Sequence, residues 1–179
     1  MEHKILVAYA TRTGSTRGVA EKIGATLSGA GAEVEVLPVQ AVKDAAPYRA
    51  IVVGSPIHGN QWLPEALQFV RLQQAALVSR PFAAFSVCMT LAMRGGEQYR
   101  PAVAGSLTPV RALARPVSEG LFAGALLIRR IPSLGDRLKF RLSVLAGVWT
   151  EGDHRDWEAI QSWAEGLQPH FALGMAGVR

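Results

Sequence analysis

Short apolar runs alternate along this chain with longer stretches that carry an apolar residue every three or four positions. The first run, residues 4–10 (KILVAYA), is β-branched, aromatic and nearly free of polar interruption. That pattern belongs to a strand covered on both faces. A helical stripe follows at Val19, Ala20, Ile23 and Leu27, with Ser15 or Thr16 available as a cap and glycines from 29 to 31 to end it. Residues 33–39 alternate and predict a second strand, and 49–54 (RAIVVG) a third, fully apolar one. Pro64 suits the first turn of a second helix whose inner face is Ala66, Leu67, Val70 and Leu77. A fourth strand over 81–89, a third helix over 97–113 and a fifth strand over 120–128 complete the series. Asp156 caps a last helix, whose stripe of Trp157, Ile160, Trp163, Ala164, Leu167 and Phe171 reads as core.

This β-α-β order predicts an α/β fold: a doubly wound five-stranded parallel sheet, order 2-1-3-4-5, with helices on both faces. Ligands bind such sheets at the carboxyl ends, beside the switch point between strands 1 and 3. Residues 1–172 are expected to form one domain and 173–179 a loose tail. The segment 129–155 is too long for a plain connection and is an insert before the last helix. Within it, 137–144 alternates as a strand would, but Leu134, Leu138, Leu142, Leu145 and Trp149 make a longer helical stripe. An amphipathic helix is the expectation.

Composition narrows the class. The chain has 179 residues, 49% hydrophobic and 18% charged, which fits a packed domain and not a disordered one. Its only cysteine, Cys88, sits in an apolar run, so a disulfide framework is ruled out and a reducing cytoplasm is expected. The amino-terminal residues lack the layout of a signal peptide. Net charge is +5, and between Arg94 and Arg141 nine basic residues face three acidic ones. Such a surface attracts anions: nucleic acid, lipid headgroups or an acidic substrate. The basic residues lack interleaved aromatics, so nucleic acid is not an expected partner. No metal site is expected.

The loop Thr11, Arg12, Thr13, Gly14, Ser15, Thr16 joins the first strand to the first helix. Unpaired N–H groups and the positive end of the helix dipole meet there. Hydroxyls can donate to phosphate oxygens, and Gly14 lets the backbone approach closely. The loop has neither GxGxxG nor the lysine of a P-loop, so it suits a single terminal phosphate better than a pyrophosphate.

This loop resembles the FMN phosphate loop of flavodoxins. Two more loops match by position: Gly54-Ser55-Pro56-Ile57-His58-Gly59-Asn60-Gln61 after strand 3 and Ser86-Val87-Cys88-Met89-Thr90 after strand 4. In flavodoxin-like proteins loops at these places flank the isoalloxazine ring. The resemblance extends to about His170 and implies FMN as cofactor. Phe85-Ser-Val87, Phe122-Ala-Gly-Ala-Leu126, the basic insert ending near Gly147 and Asp156-Trp-Glu158 are more specifically similar to one branch, the flavodoxin-type menaquinone-dependent protoporphyrinogen oxidases.

That resemblance implies a porphyrinogen as reductant, a quinone as acceptor and a place at the inner face of the cell membrane. A peripheral contact through 129–149 is expected, and a homodimer is left open. The chemistry would reside at flavin N5, with no catalytic acid or base asked of the protein. Ile57, His58 and Gly59 are expected near N5, and Val87 to Thr90 near the pyrimidine end. His58 and Arg12 have either a binding role or none. Trp62 covers a ring face or packs the second helix. Cys88 reads as a buried filler. Alternatives are a flavodoxin-type electron carrier, which an isoelectric point near 9.9 argues against, and an FMN-dependent NAD(P)H:quinone reductase.

Overall fold

The computed structural model describes residues 4–131 and 133–172. The expected tail, 173–179, and residues 1–3 lie outside them. In chain order the elements begin with β1 (Lys4–Tyr9), α1 (Ser15–Gly29), β2 (Glu33–Pro38), β3 (Ala50–His58) and β4 (Gln61–Trp62). Then come α2 (Pro64–Leu72), α3 (Gln74–Ser79), β5 (Phe82–Cys88), α4 (Arg100–Gly105), α5 (Thr108–Leu113) and β6 (Ser118–Ala123). The chain ends with β7 (Ala125–Leu126), α6 (Leu134–Leu145), β8 (Gly152–Asp153) and α7 (Trp157–Glu165).

Five strands run parallel in the order β2-β1-β3-β5-β6, with β4 paired antiparallel to β3. Counting only the long strands, this is the expected order 2-1-3-4-5. The central strands β1, β3 and β5 are buried nearly throughout, whereas the edge strands β2 and β6 are only partly covered. That is why the central runs read as continuously apolar and the second strand as alternating. Ile5, Val7, Val52 and Phe85 point to the face covered by α1 and α7. Leu6, Ala8, Ile51 and Val53 point to the opposite face, covered by α2, α3 and α5.

Several expected boundaries shift, each for a local reason. The loop expected from Gly54 begins later, because β3 continues to His58 and turns back into β4. Gly59 and Asn60 have φ of 58° and 61°, the left-handed pair that a two-residue hairpin turn needs. Ser86, Val87 and Cys88 likewise belong to β5, and the loop after it starts with one tight helical turn at Met89–Ala92. The single helix expected over 97–113 is broken into α4 and α5, each with a proline in its first turn. Pro109 has no N–H to continue a helical ladder, so a new helix starts there. The fifth strand also breaks. After Gly124 the chain leaves the main sheet, and β7 pairs with β8 instead.

Neither Ser15 nor Thr16 caps α1; Gly14 does, in the left-handed region, without a side-chain bond. Asp156 does cap α7, accepting from the Ala159 N–H at 2.9 Å. Trp157, expected in the core, is exposed and stacks under the Arg155 guanidinium. Trp163 is the tryptophan that packs inward, edge-on to Phe85 and Phe122, with its indole N–H donated to Ser118.

Gly54 sits in β3 directly beneath Phe85, so that a Cβ there would fall within the phenyl ring. Gly54→Ala is therefore expected to destabilise the protein by about 1–3 kcal/mol or more in urea unfolding. The same substitution made with Phe85→Leu should cost clearly less than the sum of the two single changes. Additive costs would mean that the clash is relieved elsewhere.

Candidate functional site

Three chain segments meet at the carboxyl ends of β1, β3 and β5. They enclose, together with the insert, a cleft of about 800 Å³. From the first segment Arg12, Thr13 and Ser15 line it; from the second, Pro56, Ile57, His58, Gly59 and Asn60; from the third, Val87, Cys88, Met89 and Thr90. Thr11, Gly14, Thr16 and Ser55 do not form its walls.

Those four have other places. The Thr11 hydroxyl accepts the Gly14 N–H at 3.0 Å and so holds the turn before α1. Gly14 has φ 90°, which an L-residue adopts only under strain. The first helical bond in α1 runs from Gly18 N–H to Gly14 carbonyl. The N–H groups of Ser15, Thr16 and Arg17 thus have no acceptor within the helix. The first turn of α1 carries no acidic residue to offset the dipole. Thr16 is fully buried and its hydroxyl has no hydrogen-bond partner among the described residues. A buried hydroxyl left unmade is costly, so the loop is built for an acceptor that the fold itself does not supply.

Ser55 is committed to the scaffold. Its hydroxyl accepts the Leu63 N–H at 3.0 Å and donates to the Pro56 carbonyl at 2.9 Å. Trp62 packs: it is 2% exposed and donates its indole N–H to the Ser86 hydroxyl at 2.8 Å. The bond ties the β3–β4 hairpin to β5 and fixes the distance between the second and third segments. Cys88 is buried beside the cleft as a small filler. His58, at the end of β3, is exposed and faces the cleft.

The fourth wall was not foreseen. Tyr99, Ala102 and Val103 contribute from the broken helix region, and Gly124 to Leu127 from the strand break. Opposite the three loops stand Phe140, Ser143, Lys139 and Asp136 of α6, with Trp149 beyond it. Phe140, Val144, Trp149 and Met89 pack on Leu126, Ile128 and Ile131 to form a small core for the insert. Pairing of β7 with β8 closes its neck, and the His154 N–H to the Gly124 carbonyl extends that pairing. A sequence signal existed. Phe140 and Val144 lie four apart on the side of the helix away from the leucine stripe, so α6 has a second apolar face, and that is the face that packs.

Arg155 ties the end of the insert to α1. Its guanidinium grips Asp153 with bonds of 2.7 and 2.6 Å and donates to the Ser15 carbonyl at 3.2 Å. These bonds hold the Asp153 carboxyl below its ordinary range, against a smaller opposing effect of partial burial. In the basic stretch each acidic residue is paired locally: Glu97 with Arg100, Glu119 with Arg111 and Asp136 with Lys139. The remaining guanidinium groups of that stretch therefore carry its excess charge.

A family model described as a flavodoxin domain matches residues 6–148. No curated protein sequence matches the chain. Among solved structures, the chain is similar to a flavodoxin from the domain Archaea, 19% identical, covering 92% of this chain and 99% of that one with a TM-score of 0.53. A short-chain flavodoxin associated with a non-canonical PDU bacterial microcompartment is 17% identical over 96% and 99%, with a TM-score of 0.60. Flavodoxin 2 from Bacillus cereus is 21% identical over 93% and 99%, with a TM-score of 0.56.

The Asp153–Arg155 pair leads to a pH test. A carboxylate whose folded pKa is depressed adds stability above its unfolded pKa and loses it as the pH falls through the folded one. Asp153→Asn should lower stability at neutral pH by no more than about 1 kcal/mol, since the pair is partly exposed. The difference from the unsubstituted protein should vanish under acid conditions. A gap in urea midpoints that is constant with pH would remove the charge from this account.

Proposed function

The chain belongs to the flavodoxin domain family, and on that premise we propose that the cleft holds FMN and serves an oxidoreductase whose reductant is a porphyrinogen and whose acceptor is a quinone. The loop fits the phosphate. Three unpaired N–H groups, the orphaned Thr16 hydroxyl and the Thr13 and Ser15 side chains supply neutral donors, and no carboxylate in the first turn opposes an anion. FMN, when bound, supplies a two-electron acceptor that can also pass electrons singly.

The chain's residues divide the remaining work. Gly59, exposed at the tip of the β3–β4 turn, is free of Cβ restraint, so its peptide can present either a carbonyl or an N–H to the cleft. His58 beside it can donate a hydrogen bond or carry positive charge toward an electron-rich group. Ser86, Trp62 and Ser55 keep these segments in register. Phe140, Trp149 and Tyr99 offer apolar surface to a large planar substrate.

The observation that carries the enzyme reading is the insert. α6 walls the cleft, so the site is shaped to admit a small molecule, whereas a carrier needs an edge open to a partner protein. In anaerobic stopped-flow, the FMN-loaded protein is expected to bleach on mixing with protoporphyrinogen IX and to recover on adding a menaquinone analogue. Reduction by NADPH alone, with no response to the porphyrinogen, would move the protein to the reductase class.

The other side of α6 supports a membrane contact for the quinone. Leu134, Leu138, Leu142 and Leu145 are exposed, and Arg141 is exposed with them. Arg137 and Lys139, by contrast, are engaged, the first with the carbonyls of Ile131 and Arg129 and the second with Asp136. No helix among the described residues is long and apolar enough to cross a membrane. A helix of this kind lies in the interface. Leu138→Ser with Leu142→Ser should abolish co-sedimentation with anionic vesicles while leaving the folded cleft intact. Equal sedimentation of the two proteins would refute the contact.

A further inference from the structure

Arg130 reaches from the insert to the turn before α1. A Cβ placed on Gly14 would lie 3.7 Å from Arg130 Nη1. Two neighbouring cations are already engaged, Arg155 with Asp153 and the Ser15 carbonyl and Arg17 with Glu21, while Arg12 of the loop itself is exposed. Among the described residues Arg130 has no ion pair. A full positive charge therefore faces the positive end of a helix, with no carboxylate of the first turn between them. Like charges converge in this way only at a cost, which an anion bridging both would reverse. In the first turn of the same helix the buried hydroxyl of Thr16 is a second polar group without a partner among the described residues.

We propose that Arg130 is a phosphate-binding residue contributed by the insert, and that a phosphate monoester held between it and α1 fastens the insert over the cleft. The inference rests on the reading of FMN as the cofactor. Arg130 is well placed for this coupling. It ends the single helical turn Ile128–Arg130, and Ile128 and Ile131 on either side are buried in the insert's own core against Phe140 and Val144. A pull on the guanidinium is thus transmitted to α6. Neutral donors alone would hold the phosphate without involving the insert.

The experiment is flavin titration by fluorescence quenching, FMN against riboflavin, which has the same ring and no phosphate. Arg130→Ala should lose about tenfold or more in FMN affinity and leave riboflavin affinity within about twofold. Arg130→Lys should recover part of the loss, and Arg115→Ala, which removes one charge at the amino end of β6, should recover wild-type values. FMN should also slow tryptic cleavage within α6 in the wild type but not in Arg130→Ala, and riboflavin should protect neither. Unchanged FMN affinity in Arg130→Ala, or an equal loss for both flavins, would overturn the proposal. Thr16→Val separates it from the cofactor reading. If the wild type binds FMN and Thr16→Val weakens it while Arg130→Ala does not, only the role of Arg130 fails. If the wild type binds neither flavin, the cofactor reading itself fails.

Discussion

Backbone donors without acceptors govern this molecule's site. A left-handed glycine opens α1, so the helix begins abruptly where β1 ends, and its first N–H groups face outward with nothing to bond. Thr11 stiffens that turn and Thr16 adds a buried hydroxyl in the same unsatisfied state. The sheet makes this arrangement affordable. β1 lies between β2 and β3, its strand interior is sealed on both faces, and the strain is confined to six residues at its carboxyl end. The other two segments stand around the same point because their strands are β1's neighbour and next neighbour.

The insert changes what such a site can do. Without it, the carboxyl edge of a five-stranded sheet is an open shelf. With it, the shelf has a far wall with aromatic and cationic side chains, an independent small core, and a closed neck at β7 and β8. Arg155 at one end of the excursion binds the Ser15 carbonyl, and Arg130 at the other reaches toward Gly14. Both ends of the insert therefore converge on the first turn of α1. The outward leucines of α6 remain uncovered, so only one face of the insert helix is turned to the cleft.

Charge follows the same division. The acidic residues between Arg94 and Arg141 are consumed by local pairs. Guanidinium groups left over at positions 129, 130 and 141 belong to the insert, Arg141 on the same helix as the exposed leucines. An anionic planar molecule and an anionic surface would both be drawn to this side of the protein.

How much of this was legible in the residues themselves depends on the range of the forces involved. Strand positions and strand order were readable, because central parallel strands must be apolar on both faces and edge strands need not be; Ile51 to Val53 and Glu33 to Val36 differ for that reason. The turn that opens α1 was readable as a run of unpaired donors because its chemistry is local to six residues. The hairpin at Gly59 and Asn60 was read as loop, since a polar turn tip and a polar loop look alike until β4 pairs with β3. Ser55 and Trp62 looked available for a ligand, and only tertiary packing, through Leu63 and Ser86, claimed them for the scaffold. Trp157 kept helical spacing yet remained outside the core, set against Arg155 and the Gly18 turn of α1 at the surface. The amphipathic character of α6 followed from periodicity alone. That its inner face completes the cleft did not, because Phe140 meets Leu126 and Met89 only when the sheet has brought 89 and 126 together.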